Sequence, residues 1–150
     1  ADSINVIFEP SGYTFLNGIT LTGDEKSLIV SSTESLLRIN LETKSITLLP
    51  YNAPFKQRPI DCLTYYNNSL IGHQSNNLTL FYLNEQEDSI LTYQIIDTSG
   101  LDSSTTGEIG EDGWYYYIAN SQIRSGIDYD KMIIMPMDSL EPVVIKKLRL

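Results

Sequence analysis

An all-β fold, arranged as about three four-stranded blades of a β-propeller, is what this 150-residue sequence predicts. Three observations carry the prediction. Apolar, β-branched and aromatic residues alternate with polar ones along most of the chain, as strands turned to a core on one side require. Clusters of Gly, Asn, Asp and Thr punctuate those stretches as turns do. The pattern also recurs, in segments that open at Gly18, Cys62 and Gly107. Four strands in roughly 40–45 residues is the period of a propeller blade. Strands spaced at about eight to twelve residues also fit a sandwich or a barrel; the threefold recurrence favours the propeller.

The elements follow in order. In the first repeat Gly18-Ile19 leads through the turn Thr22-Gly23-Asp24 to the apolar run Leu28-Ile29-Val30. Leu37, Ile39 and Leu41 then alternate with Arg38 and Asn40, Glu42-Thr43-Lys44 turns the chain, and Ile46 to Leu49 closes the unit. In the second, Cys62-Leu63 leads through Asn67-Asn68 to Leu70-Ile71, then to the stretches Leu78 to Leu83 and Ile90 to Ile96. In the third, Gly107 leads through Asp112-Gly113 to the aromatic run Trp114 to Ile118, then to Met132 to Met135 and Val143 to Leu148. No stretch keeps a 3.6-residue period with caps, so little helix is expected. Residues 1–150 read as one partial propeller domain, with blades at approximately 13–50, 58–98 and 103–150. Propellers close with roughly four to eight blades. Three blades leave open edges, which a second copy of the chain or a missing N-terminal half is expected to cover.

Composition excludes several function classes. At 41% hydrophobic and 19% charged the chain is ordinary globular material, not a disordered one. Nineteen acids against ten bases give a net charge of −9, a field that repels phosphate backbones and argues against nucleic acid as a partner. No apolar run is long enough for a membrane-spanning helix. Ala1-Asp2-Ser3-Ile4 has neither the basic nor the apolar region of a signal peptide, so any leader is absent or already removed and the chain is expected to be soluble. A single cysteine, Cys62, rules out an internal disulfide and a cysteine-cluster metal site. A single histidine, His73, rules out the two-histidine zinc motifs and leaves one imidazole for acid–base work.

Several stretches carry a resemblance to a known family. Phe15-Leu16-Asn17-Gly18-Ile19-Thr20-Leu21, followed by Gly23-Asp24-Glu25-Lys26-Ser27-Leu28-Ile29-Val30, resembles the "PNGIALSPDGKTLYVA" strand pair of the gluconolactonase, senescence-marker-protein and luciferin-regenerating-enzyme family. Arg38 to Lys44 is similar to that family's "R-x-D-L-x-T-G" hairpin. Pro59-Ile60-Asp61-Cys62-Leu63 with Asn68-Ser69-Leu70-Ile71 resembles "PDGLAxDxxGxLWVA". Thr105-Thr106-Gly107 and Tyr115 to Gln122 are similar to a late blade of bacterial members. The resemblance spans about residues 13 to 135 and implies the C-terminal half of a six-bladed propeller. It also implies a divalent cation, often calcium, in the central channel. Asn17 matches the ligand asparagine of the "NG" motif, and Asp61 matches the aspartate of "PDG". The family's first-blade Glu and mid-chain Asn have no counterpart here. Ile60 and Cys62 depart from the pattern around Asp61.

Two function classes follow. In the first, the chain is part of a metal-dependent hydrolase of lactones or esters. Asn17 and Asp61 hold the cation, Asp61 also serves as general base, and His73, Thr106 and Asn120 contact a small-molecule substrate. His73 is read as opening a loop, and Asn120-Ser121-Gln122 as the matching loop of the next unit. In the second, the chain is a non-catalytic propeller that binds or scaffolds, a reading that Ile60, Cys62 and the long linker Pro50 to Pro59 favour. Residues without a chemical role in either class have structural readings. Cys62 is expected as a small buried apolar residue facing away from Asp61. Trp114 to Tyr117 is expected as sheet core with every second ring packed inward. Asn67-Asn68-Ser69 and Asn77-Leu78-Thr79 fit glycosylation sequons, which expects both segments at the surface.

Overall fold

The computed structural model describes residues 6, 8, 11–33, 35–52 and 59–150. Thirteen strands lie among them, and the only helical element described is one 3-10 turn, Met137–Ser139. The first sheet is a meander of β1 (Ile19–Leu21), β2 (Ser27–Ser31), β3 (Leu36–Asn40) and β4 (Ile46–Leu48). The second meander is β5 (Leu63–Tyr66), β6 (Ser69–Gln74), β7 (Asn77–Leu83) and β8 (Ile90–Asp97). Every described pairing between these strands is antiparallel. The third sheet holds β9 (Gly107–Ile109), β10 (Trp114–Ile118) and β13 (Ile145–Arg149), with β10 in the middle. The first strands of the three sheets begin at residues 19, 63 and 107, so the repeat read from the sequence has a structural counterpart. The architecture is all-β, in four small antiparallel sheets.

The third unit departs from expectation. Met132 to Met135 does not enter the sheet of β10. Instead β12 (Ile133–Ile134) pairs with β11 (Ile127–Asp128) in a separate two-stranded ribbon. The third position beside β10 is taken by β13, in register from Trp114 opposite Arg149 to Ile118 opposite Ile145. The sheet therefore has three strands where four were expected. Asn77 is half-buried at the start of β7, and the rest of that sequon, Leu78 and Thr79, is buried rather than at the surface. Of the linker Pro50 to Pro59, residues 53–58 lie outside the described residues.

The second sheet is the middle layer, and its sequence says why. Successive side chains of a strand point to opposite faces, and β6 is buried at all six positions, so both of its faces must be covered. One face packs on the first sheet, where Leu70, Phe81 and Leu83 meet Ile29, Leu36 and Leu49. The other packs on the third sheet, where Ile71, Leu78 and Leu80 meet Tyr115, Tyr117 and Ala119. The aromatic run alternates as expected: Tyr115 and Tyr117 are buried and stack at 5.8 Å, while Tyr116 faces outward.

A chain of buried polar groups crosses the second interface. His73, expected at the start of a loop, is the fifth residue of β6 and is 0% exposed. Its Nδ1 lies 2.7 Å from Ser104 Oγ, and its Nε2 lies 2.7 Å from the Tyr115 hydroxyl. Ser104 Oγ donates its proton to the Ile118 carbonyl at 2.7 Å, so it must accept from His73. The imidazole is therefore protonated on Nδ1, and Nε2 accepts from Tyr115. The Tyr115 hydroxyl in turn lies 3.4 Å from Thr64 Oγ1. Burial pushes the His73 imidazole down to about 4, because a charge here would lose its hydration.

Between the first and second sheets the backbones come close at Gly18. A Cβ on this residue would stand 2.9 Å from both the Cys62 carbonyl carbon and the Leu63 amide nitrogen. Only glycine lets β1 and β5 run this near each other.

Three outcomes are expected. The unfolded chain takes up a proton on His73 near pH 6.5, and the folded chain only near 4. Stability is thus fully present above the higher value and falls as pH drops through that window, by about 3 kcal/mol in all. Urea unfolding at a series of pH values checks this, and His73→Phe should flatten that part of the slope. Tyr115→Phe leaves Nε2 buried without a donor and should cost about 1–3 kcal/mol in the same measurement at neutral pH. Gly18→Ala should cost a similar amount, roughly 1–3 kcal/mol, by forcing β1 and β5 apart.

Candidate functional site

Asn17 and Asp61 sit just ahead of β1 and β5, the first strands of adjacent sheets. Backbone bonds fix both. The Asn17 amide donates to the Ser31 carbonyl at 3.2 Å, and the Asp61 amide donates to the His73 carbonyl at 2.9 Å. Ser31 Oγ donates across the sheets to the Ile60 carbonyl at 2.7 Å, and the Gly18 amide reaches the same carbonyl at 3.4 Å. With the two strand ends locked this way, Asn17 Nδ2 donates to Asp61 Oδ1 at 3.2 Å. The two residues singled out as a pair, 44 positions apart, are in side-chain contact.

The pair lines a cavity of about 280 Å³ together with Phe15, Thr33, Pro59 and Ile60. Apolar walls and partial burial give the carboxyl a poor solvent. Burial pushes the Asp61 carboxyl above the ordinary aspartate value; the positive field of Arg124 and the Asn17 hydrogen bond pull it back without cancelling the rise. Arg124 was not singled out from the sequence. It follows Asn120-Ser121-Gln122, a stretch that was, and its Nη2 donates to Ser75 Oγ at 2.9 Å. Ser75 in turn stands two residues beyond His73, whose carbonyl takes the Asp61 amide.

The donor chemistry can be tested against a hard cation. Turned about its last torsion, Asn17 presents Oδ1 where it now presents Nδ2, and with Asp61 this gives two oxygen donors of the kind such ions prefer. The arrangement therefore fits part of a coordination shell, with the remaining positions left to carbonyls and water. Among the described residues no three His, Cys, Asp or Glu side chains gather closely enough to hold a metal by themselves.

The other predicted residues are elsewhere. His73 is enclosed in the polar chain described above and has no exposed surface to offer a substrate. Asn120 is 4% exposed and braces the strap leading to β13: Nδ2 donates to the Pro142 carbonyl at 3.0 Å, and Oδ1 accepts the Val144 amide at 2.6 Å. Thr106 is exposed and lines a different cavity, of about 260 Å³, with Glu108, Tyr116 and Ile145 on the third sheet. Cys62 is a free thiol, half-buried rather than enclosed.

Comparison with known proteins gives a fold and no closer relationship. No family model matches the sequence, and no curated protein does. Among solved structures the chain is similar to a luciferin-regenerating enzyme, with a TM-score of 0.53 at 9% sequence identity. The match covers 71% of this chain and 36% of that one. The chain thus spans only about a third of the length of the protein it matches. This is a distant structural relationship, to an enzyme named in the family that the sequence resembles.

Proposed function

We propose that this chain is part of a β-propeller hydrolase of lactones or esters, and that Asn17 and Asp61 contribute to a divalent-cation site in its channel, calcium being the ion best suited to their oxygens. The observation that carries the reading is the 3.2 Å contact between these two side chains, which come from the starts of neighbouring sheets. A cation bound there would polarise a substrate carbonyl and stabilise the charge developing on its oxygen. Asp61 has a second task. Oδ1 is engaged by Asn17, which leaves Oδ2 to accept a proton from an attacking water. A carboxyl raised by burial is a stronger base than an ordinary one. Phe15, Pro59 and Ile60 give the cavity apolar walls.

A second reading, a binding or scaffolding module without catalysis, draws on the nearby positive charge of Arg124, which opposes a metal at Asp61. The two readings divide on metal binding.

Ring closure belongs to the same proposal. The outer face of the first sheet is apolar at every position of its cross-strand ladder, from Ile19 opposite Val30 to Leu37 opposite Leu48. The middle of that face, Val30, Leu37 and Ile39, is already buried within the chain, and its rim, Ile19, Leu21 and Leu48, is 56%, 41% and 58% exposed. A second copy, placing its own third sheet on this face around a two-fold axis, would cover it at both junctions and give six sheets in a ring. Trp114 and Tyr116 on the outer face of that sheet carry Lys147 and Arg149 over their rings, so the contact would meet cationic as well as aromatic surface there.

Calorimetric titration with calcium should give one saturable site. Asp61→Asn should abolish the binding heat and any lactone hydrolysis, and an unchanged titration in that variant would overturn the site. Affinity should also fall on acidification, with a midpoint above the ordinary aspartate value, since the ion must displace the Asp61 proton. Light scattering on a size-exclusion column should give twice 16.9 kDa; a stable monomer would refute the second copy as the closing partner.

A further inference from the structure

The chain just ahead of β1 is pinned at two points. The Thr14 carbonyl accepts the Thr33 amide at 3.1 Å, and the Asn17 amide donates to the Ser31 carbonyl at 3.2 Å. Phe15 and Leu16 bow out between them. Phe15 takes a φ of 51°, a left-handed conformation that a bulky residue enters at a cost. Glycine or asparagine would take it with less strain, and neither would bring a phenyl ring to this place. Phe15 is also 84% exposed, the highest value among the large apolar residues described. This exposed, strained residue lines the same cavity as Asn17 and Asp61.

The polar side chains of that cavity offer little. Thr33 Oγ1 spends its proton on the Thr14 carbonyl at 3.1 Å. Asp61 is an acceptor. Asn17 Nδ2 gives one N–H to Asp61 Oδ1 and keeps its second for a ligand. Phe15, Pro59 and Ile60 make up the rest of the lining. One free side-chain donor beside a carboxylate, set against three apolar residues, suits a ligand with one carbonyl and an apolar body. At about 280 Å³ the cavity takes a small one.

We propose that Phe15 is a specificity residue of the Asn17/Asp61 site and that the ligand it selects is a lactone or ester with an apolar substituent, not a polyhydroxylated one. The substrate class rests on the hydrolase reading above. The apolar ligand site rests on the lining of the cavity and on Phe15. The ligand carbonyl meets the Asn17 amide, and the substituent packs on Phe15, Pro59 and Ile60. A ring carried on a pinned backbone has little freedom left to lose when a ligand covers it, so its apolar area counts almost fully towards binding. A sugar lactone fares worse, because its hydroxyls give up water and find too few polar partners in this lining.

Two measurements separate the parts of this proposal. The first uses lactams, which carry the same carbonyl and resist hydrolysis, and follows the Asn17 side-chain amide by NMR. γ-Phenyl-γ-butyrolactam should shift that signal in the native chain and bind about tenfold or more tighter than gluconolactam. Phe15→Asn removes the ring and suits the left-handed backbone. It should weaken the phenyl lactam about tenfold or more while the urea midpoint stays level or rises, and Phe15→Leu should retain part of the affinity. Equal affinity for the phenyl lactam in the native chain and Phe15→Asn, no binding to the native chain, or a preference for gluconolactam overturns the role of Phe15, whether or not the chain is a hydrolase. The second compares γ-phenyl-γ-butyrolactone with gluconolactone in saturating calcium. The native chain should favour the phenyl lactone about tenfold or more in kcat/KM, and Phe15→Asn should erase most of that ratio through KM. An unchanged ratio in the variant, or a native preference for gluconolactone, overturns the substrate class. Absence of turnover on both lactones, with lactam binding intact, removes the hydrolase reading and its substrate class while the apolar ligand site stands.

Discussion

The fold depends on burying the second sheet on both faces. A sheet with one wet face can alternate polar and apolar residues, but β6 has no outward position, and even His73 and Gln74 are enclosed. Apolar residues satisfy most of that demand, with Leu70 turned to one neighbour and Ile71 to the other. His73 satisfies it differently. A buried imidazole is tolerable only when both nitrogens are bonded, and Ser104, ahead of β9, and Tyr115 of β10 supply the two partners. The interface between these sheets is thus specified as well as driven: apolar area brings the layers together, and a directional chain of hydrogen bonds sets how they meet.

The same layering creates the candidate site. Neighbouring sheets can approach closely where a side chain is missing, and Gly18 is such a place between the first and second. The residues just ahead of β1 and β5 are then brought together, and Asn17 meets Asp61. Electrostatically the site is a balance. Burial works against the Asp61 charge, and Arg124 works for it. A divalent ion would do the same work as Arg124 more strongly, so the guanidinium is both a partial substitute for the ion and a competitor of it. That tension is the physical content of the choice between a metal-dependent enzyme and a binding module.

Much of the first two sheets was legible in the sequence, since strand alternation and turn residues survive in each meander and local pairing needs nothing else. The third sheet was not. Met132 to Met135 has the composition of a strand, but composition does not name a partner, and the ribbon with Ile127–Asp128 satisfies those backbone groups locally. His73 was misplaced because the polar stretch from His73 to Asn77 reads as a loop; only the packing of the third unit, through Ser104 ahead of β9 and Tyr115 of β10, makes it a core residue. Asn17 and Asp61 were found as a pair through the resemblance, their register set by the repeat. Arg124 was missed because its position depends on a loop fold held by residues from Ser103 to Glu141, which no local pattern encodes.

The two hydrophobic clusters join the first sheet to the second and the second to the third, so stability is shared between neighbours, as in a stack of coins. The middle sheet is held by two interfaces and each outer sheet by one. In such a stack, either outer sheet can detach at the cost of a single interface, while the middle one opens only when the whole does. Amide exchange would then be graded across the molecule, slowest in β6 and β7. The Asn17–Asp61 contact spans one of the two junctions, so any ligand that bridges it also stitches an outer layer to the centre, and its occupancy would be written into the exchange rates of the first sheet.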